Sequence, residues 1–98
     1  LVSFLDEDTA AVFAGRKVRR WVNILAVAQR KLQLLDSAAT LDALRVPPGN
    51  RLEALTGDRR GQHSIRVNDQ FRVCFVWRAD GVPTAADGVH DVQIVDYH

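Results

Sequence analysis

The chain has 98 residues, 47% of them apolar, and a formal net charge of +1. This length and composition predict a single domain, residues 1–98, with one modest core and no room for a second domain. One cysteine, Cys74, excludes an internal disulfide, and no apolar run approaches the roughly 18 residues of a membrane span, so we expect a soluble, cytoplasmic protein.

The N-terminal part of the chain has the pattern of a short strand followed by a helix. Residues 2–5 form an apolar run typical of a strand, and Asp6 after them is a good helix N-cap, followed by two acids in the first turn. Gly15 then provides a stop, because glycine readily adopts the conformation that ends many helices. We therefore predict a strand at 2–5 and a first helix between Asp6 and Gly15.

A longer second helix is predicted from an apolar stripe with alternating steps of three and four residues. The stripe consists of Val18, Trp21, Leu25, Ala28, Leu32 and Leu35. This face must be buried. The cations beside it are interpreted first as a solvated face and only second as a binding surface: Arg19, Arg20, Arg30 and Lys31. One more turn is expected at 41–44, before the break at Pro47, Pro48, Gly49 and Asn50.

After Arg51 the apolar period changes from helical to alternating, which predicts three strands at about 62–67, 71–78 and 89–97. A three-residue loop at 68–70 places the apolar sets of the first two strands on the same side of the sheet, whereas a two-residue turn would place them on opposite sides. Helices followed by an antiparallel sheet describe a small α+β domain, with the helices on one face of the sheet.

The same register places Arg66 directly opposite Arg72 on the face away from the core. Two like charges at this spacing are unfavourable unless an anion comes between them, and an RNA phosphate would serve, because arginine offers paired donors to its oxygens. An internal ion pair with Asp69 or Asp96 is the alternative. The candidate groove is the face that carries Ser64, Arg66, Arg72 and Cys74.

Positive charge is concentrated around this candidate groove. Residues 45–78 contain seven arginines against three acidic residues, although the whole chain is nearly neutral. A locally basic face is consistent with docking to a polyanion. Composition alone favours the plainer interpretation, in which dispersed surface arginines keep the protein soluble. The polar turn at 57–61 leaves the same two interpretations open. An ordinary solvent-exposed turn explains its glycines and arginines at least as often as contact with a phosphate does.

The last predicted strand ends at three groups that can move protons or steer a phosphate: Asp96, Tyr97 and His98. An imidazole titrates near neutrality and a carboxylate can hold its tautomer, so acid, base and orienting roles can be divided among them. The plainer interpretation is a strand end exposed to water. The histidines show no metal-ligand spacing, and His63 is phased toward the core, so no metal site is predicted.

Three segments of the chain are distinctive: PPGNRLEAL at 47–55, GDRRGQHSIRVNDQFRVCF at 57–75 and VDYH at 95–98. With Ser3-Phe4 near the start and Arg30-Lys31-Leu32 in the second helix, they resemble the HigB-type toxins of the RelE superfamily over essentially the whole chain. The resemblance implies a compact, microbial-ribonuclease-like α+β domain, with an N-terminal strand and two helices packed on a mainly antiparallel sheet.

The resemblance also implies an activity and partners. It implies a ribosome-dependent messenger-RNA endoribonuclease, the toxin of a type II toxin–antitoxin pair. In that family the reaction uses no metal or cofactor: the ribose 2′-hydroxyl attacks the adjacent phosphate of an A-site codon and leaves a cyclic phosphate. The implied partners are the ribosome, its messenger and a small helix-turn-helix antitoxin of the HigA type, through which alone operator DNA would be contacted. No membrane partner is implied.

Carried over residue by residue, the resemblance gives Arg66 and Arg72 the role of stabilising charge on the phosphoryl oxygens. His98 would transfer protons, Tyr97 would orient or stack the codon, and Asp96 would hold the other two. Contacts to ribosomal or messenger RNA are implied for Arg59, Arg60, Asn68 and Gln70.

Two points stay open at this level. Some relatives carry a histidine where this chain has Glu53 and a lysine where it has Thr56; Glu53 can replace a base, whereas Thr56 cannot replace a cation, so the general base is undecided. The second open point is a function of another class, in which the same fold is a noncatalytic binding module. Such a module would be a gyrase-type inhibitor or a co-repressor acting with its antitoxin, and the intact Asp96-Tyr97-His98 disfavours it.

Overall fold

A computed structural model of the protein, which describes residues 3–78 and 88–96, has two α-helices followed by a four-stranded antiparallel sheet. The helices are α1 (Glu7–Phe13) and α2 (Leu25–Ser37). The strands pair in chain order: β1 (Glu53–Ala54), β2 (His63–Arg66), β3 (Phe71–Arg78) and β4 (Gly88–Asp96). Short 3₁₀ turns lie in the connections, at Arg19–Trp21, Asp42–Arg45, Pro48–Asn50 and Gly57–Arg59. The predicted α+β class is confirmed.

The chain enters the fold beside its last strand. Phe4 forms an isolated parallel bridge to Val92. The Leu5 N–H donates to the Val92 carbonyl at 2.9 Å, and the Val92 N–H donates to the Ser3 carbonyl at 3.1 Å. Within residues 3–5 the predicted N-terminal strand is therefore this single bridge to β4, and the rest of the prediction, residue 2, lies outside the described residues.

Helix α1 begins and ends as predicted. The Asp6 side chain accepts a hydrogen bond from the Thr9 N–H at 2.6 Å, which satisfies one of the backbone donors that a first helical turn leaves without an intrahelical partner. Gly15 follows the helix with a φ of +84°, a conformation that residues with a Cβ rarely adopt. The N-cap at Asp6 and the stop at Gly15 are both confirmed.

Thr9 couples α1 to the sheet. Its side chain is fully buried, and its hydroxyl accepts a hydrogen bond from the Ile94 N–H of β4 at 3.1 Å. A Thr9→Val variant keeps the shape but leaves this N–H unsatisfied, so we expect the free energy of unfolding in urea to fall by about 1–3 kcal/mol. Thr9→Ser keeps the hydroxyl and is the matched control. Equal stability of the valine variant and the wild type would contradict a role for this bond.

The second helix is shorter than the apolar stripe predicted. It begins at Leu25, whereas Val18 is extended and Trp21 lies in a 3₁₀ turn. The buried residues of this stretch are spaced by three: the Trp21 N–H donates to Val18, and the Ile24 N–H donates to Trp21. A spacing of three belongs to the 3₁₀ turn as well as to the α-helix. The predicted start was therefore wrong, although the stripe is buried at every position except Leu25, which is half-buried.

The pairing of β2 with β3 confirms the predicted register. Arg66 pairs with Arg72, and residues 68–70 form the connecting loop. One face of the sheet packs against the helices, and the core between them includes Leu32, Leu35, Ile65, Val73, Phe75, Val92 and Ile94. The short strand β1, which the sequence did not indicate, extends the sheet at the free edge of β2. Neither α1 nor α2, the helices of the described part, is long and apolar enough to span a membrane.

Candidate functional site

The outer face of the sheet, which points away from α1 and α2, carries the residues predicted to form an open groove. Ser64 and Cys74 are 0% and 1% exposed, and Arg72 is 9% exposed. Arg59 lies across this face, since its guanidinium donates to the side chain of Gln93, the strand partner of Cys74, at 3.4 Å. The prediction of an open groove is therefore wrong at Ser64 and Cys74, because the segment between β1 and β2 folds back over them.

Cys74 lies in a part of the outer face from which water is excluded. Burial raises the pKa of its thiol, and the positive charges of Arg59 and Arg72 offset this only in part. The thiolate is the reactive form of cysteine, so a raised pKa makes the side chain less nucleophilic. Cys74 is thus a packing residue, and it lies beside two arginines without becoming a reactive group.

Arg72 is fixed by three groups of the outer face. Its Nε donates to the Ser64 hydroxyl at 2.7 Å, and its Nη2 donates to the Arg51 carbonyl at 2.6 Å. A Glu53 carboxylate oxygen lies 3.9 Å from the same Nη2. The guanidinium is therefore held in one orientation, with donors left over, because arginine has five N–H groups. Glu53 lies on β1.

Arg66, opposite Arg72, has a more open environment. Its guanidinium is 31% exposed and pairs with the carboxylate of Asp69, which is 99% exposed. The internal ion pair that the sequence left open is thus formed with Asp69. An exposed pair of this kind contributes about 0–1 kcal/mol, because water and salt screen it and both side chains lose freedom. A ligand anion can therefore replace Asp69 at Arg66 at little cost.

A buried asparagine, which sequence analysis treated only as part of a chain break, supports the edge of this site. Asn50 is fully buried; its amide nitrogen donates to the carbonyls of Leu44 at 3.1 Å and Val46 at 3.3 Å. Its amide oxygen accepts from the Lys31 ammonium at 2.5 Å. Arg51, the next residue, has a φ of +46°, and its carbonyl is the acceptor for Arg72.

Asp96 lies on the other side of the sheet from the arginine pair. It pairs with Phe71, whereas Arg72 pairs with Val95, and paired residues of antiparallel strands point to the same face. The Gln70 side chain donates to the Asp96 carboxylate at 3.0 Å, so Asp96 is anchored at the end of β4 beside the 68–70 loop. Tyr97 and His98, the other two residues of the predicted catalytic group, lie outside the described residues.

The four residues implied to contact RNA fall in two places. Arg59 is half-buried across the outer face, and Arg60 after it is exposed. Asn68 is committed to its own loop, because its amide oxygen accepts from the N–H groups of Gln70 and Phe71, both at 2.8 Å. Asn68 and Gln70 also line a cleft of about 270 Å³ on the helix side of the sheet, together with Arg20, Trp21, Asn23, Ile24 and Phe71.

One arginine, Arg20, lines the cleft at the 68–70 loop. The Arg20 guanidinium lies 4.1 Å above the centre of the Trp21 ring and pairs with Asp8 at 3.0 Å. Stacking and ion pairing together fix this arginine at the mouth of the cleft. In residues 3–78 and 88–96, no three His, Cys, Asp or Glu side chains lie close enough together to hold a metal ion.

Comparison with known proteins adds independent findings. A family model described as the RelE-like toxin of the type II toxin–antitoxin system HigB matches residues 4–98. Toxin HigB-1 of Vibrio cholerae serotype O1 is 55% identical over 53 residues, which are 54% of this chain and 55% of that protein. An uncharacterized protein of Haemophilus influenzae is 35% identical over 60 residues, 61% of this chain and 59% of its own length. The matched segments thus span little more than half of each relative.

Proposed function

Since the chain belongs to the RelE-like HigB toxins of type II toxin–antitoxin systems, we propose that it is an endoribonuclease that cleaves messenger RNA on the translating ribosome. The observation that carries this proposal is the pairing of Arg66 with Arg72, which places two arginines directly opposite each other on neighbouring strands of the outer face. Such a pair suits a phosphodiester, whose oxygens accept planar, paired donors.

In the proposed reaction the ribose 2′-hydroxyl loses its proton, and its oxygen bonds to the adjacent phosphorus. The bond from phosphorus to the 5′-oxygen of the next nucleotide breaks, and that oxygen takes up a proton. The products are a 2′,3′-cyclic phosphate and a 5′-hydroxyl. Negative charge grows on the nonbridging oxygens during this step, and cations already fixed beside them stabilise it more in the transition state than in the substrate.

The two arginines have different parts in this step. Arg66 exchanges its exposed partner Asp69 for a phosphoryl oxygen, since the ion pair it gives up contributes little. Arg72, held by Ser64 and Arg51, stays in place on the strand next to Arg66, with donors left over. A guanidinium that needs no rearrangement during the reaction is the more effective electrostatic catalyst.

Proton transfer is assigned to His98, with Tyr97 orienting the codon and Asp96 holding the end of the strand. The hydrogen bond from Gln70 to Asp96 supports this anchoring role. Glu53 remains the second candidate for the general base, because its carboxylate lies beside Arg72.

The proposed partners follow from the family. A helix-turn-helix antitoxin of the HigA type would neutralise the protein and connect it to operator DNA. The ribosome and its messenger would be contacted by Arg59, Arg60, Asn68 and Gln70, and the protein would act in the cytoplasm, where they meet. Arg60 and Gln70 are the exposed residues of this set, and the Gln70 side chain is bonded to Asp96, so Arg60 is the more available for such a contact.

One observation favours a noncatalytic alternative, in which the fold is a binding module such as a gyrase-type inhibitor or a co-repressor. Arg72 is buried and already hydrogen-bonded to Ser64 and Arg51 within the protein, and Asp96 points to the opposite face of the sheet from the arginine pair. A module that only binds a partner needs neither an open guanidinium nor a converging carboxylate. The two functions differ in what happens to messages after induction.

Induced expression separates these functions. We expect growth arrest, together with new 5′ ends inside the codons of a translated reporter message, mapped by primer extension. The matched control is the same message without its start codon, which should stay intact because it is not translated. Arrest with uncut messages would support the binding module, and equal cutting of both messages would remove the ribosome from the proposal.

A further inference from the structure

Lys31 is held more firmly than an ordinary surface lysine. Its ammonium donates to the amide oxygen of Asn50 at 2.5 Å, and Asn50 is fully buried and fixed by the carbonyls of Leu44 and Val46. A lysine side chain normally samples many rotamers around a strongly hydrated charge. Here the position of the charge is determined by the protein, and two N–H groups of the ammonium remain for a ligand, since Asn50 is its one hydrogen-bond partner among the described residues.

Neighbouring residues of the chain hold Lys31 and Arg72 in place. Asn50, which holds Lys31, and Arg51, whose carbonyl holds Arg72, are consecutive in the chain, so their Cα atoms are about 3.8 Å apart. Arg66 stands opposite Arg72 on the neighbouring strand. Lys31 of α2 and Arg72 of β3 thus bind consecutive residues of one short segment, and Arg66 of β2 lies opposite Arg72.

The charge of these three cations is incompletely balanced. Asp69 pairs with Arg66, and Glu53 lies near Arg72, but within the described ranges no carboxylate lies within ion-pair distance of Lys31. Burial lowers the pKa of Lys31 first, and the positive charges of Arg30 and Arg66 lower it further. The unfavourable proximity of these cations is relieved when an anion enters between them.

We propose that Lys31 is a phosphate-binding residue of the proposed RNA site, which extends the site from the outer face of the sheet onto α2. The inference rests on the proposed function, because its ligand is a backbone phosphate of the message that this function cleaves. Lys31 binds that phosphate as a fixed point charge beside Arg66, and it contributes to binding the message rather than to the chemical step.

The test is single-turnover cleavage of a translated message on programmed ribosomes, measured at several toxin and KCl concentrations. For Lys31→Gln we expect the toxin concentration at half-maximal rate to rise about tenfold, with the maximal rate within about twofold of wild type. The slope of log affinity against log salt should become shallower by about 0.7, the value for one phosphate contact on a single strand. Lys31→Arg keeps the charge and should restore both values.

Arg45→Gln is the matched control, because Arg45 is an exposed cation on the other side of Asn50, paired with Asp42 at 2.7 Å. It removes the same charge and should leave affinity and salt slope unchanged. Thermal unfolding of each variant separates loss of binding from loss of fold. Unchanged affinity and slope for Lys31→Gln, or equal losses in the Arg45 control, would overturn the role of Lys31. A wild-type protein that cuts no message would instead overturn the proposed function itself.

Discussion

Replacing Arg66 with glutamine is expected to lower the rate of message cleavage by about 100-fold or more, while the unfolding temperature stays at the wild-type value. The activity loss follows from removing a cation that faces the charge growing on the phosphate, a change that typically costs 10²–10³ in rate. Stability changes little, because the one ion-pair partner of Arg66 within the described residues is the almost fully exposed Asp69, and such pairs contribute about 0–1 kcal/mol.

Asp69→Asn is the matched control for this prediction. It breaks the same ion pair from the other side and leaves the Arg66 guanidinium without a competing carboxylate, so cleavage should be retained or increased. The measurement is the single-turnover rate on programmed ribosomes, with a thermal melt of each variant. An Arg66→Gln variant that cleaves within about threefold of wild type would contradict a transition-state role for this arginine.

The register of the sheet could be predicted from the sequence because it depends on local rules. Side chains alternate along a strand, so the apolar sets of β2 and β3 can share the core face only if the loop between them has an odd number of residues. Residues 68–70 satisfy this condition, and the pairing of Arg66 with Arg72 follows from it. The N-cap at Asp6 and the stop at Gly15 are local in the same sense.

The contacts that the sequence did not predict join residues that are far apart in the chain. Lys31 and Asn50 are 19 positions apart, and Arg59 and Gln93 are 34 apart. Neither the helical nor the alternating pattern of apolar residues indicates contacts of this kind. A polar residue after two prolines and a glycine has the composition of an exposed turn, and only the tertiary fold shows that Asn50 is buried and bonded on three sides.

The register confirms that Arg66 pairs with Arg72, whereas the residues of the candidate site do not all lie on one face of the sheet. Val95 pairs with Arg72 on the outer face, so Asp96, the next residue, belongs to the opposite face. Side chains alternate along a strand, so residues that adjoin in the chain point to opposite faces. Converging side chains on a strand are found at every second position.

Arg72 gives the second large expected effect, and it is on stability. Replacing it with glutamine removes the partner of the Ser64 hydroxyl and of the Arg51 carbonyl, in a part of the sheet where Ser64 is fully buried. An unsatisfied buried polar group costs about 1–3 kcal/mol. We therefore expect the free energy of unfolding in urea to fall by about 2–5 kcal/mol, while Arg66→Gln on the opposite strand leaves it unchanged.

Cys74 supplies a second readout of the same change, because it is two residues from Arg72 and buried beside it. In the wild type its burial and raised thiol pKa predict slow reaction with a disulfide reagent at pH 8. If Arg72 holds β1 and Arg51 against this face, Arg72→Gln should expose the thiol and speed its reaction, although loss of a positive charge alone would raise the thiol pKa further and slow it. Unchanged stability together with slower labelling would show that Arg72 acts only through its charge and is not held by Ser64 and Arg51.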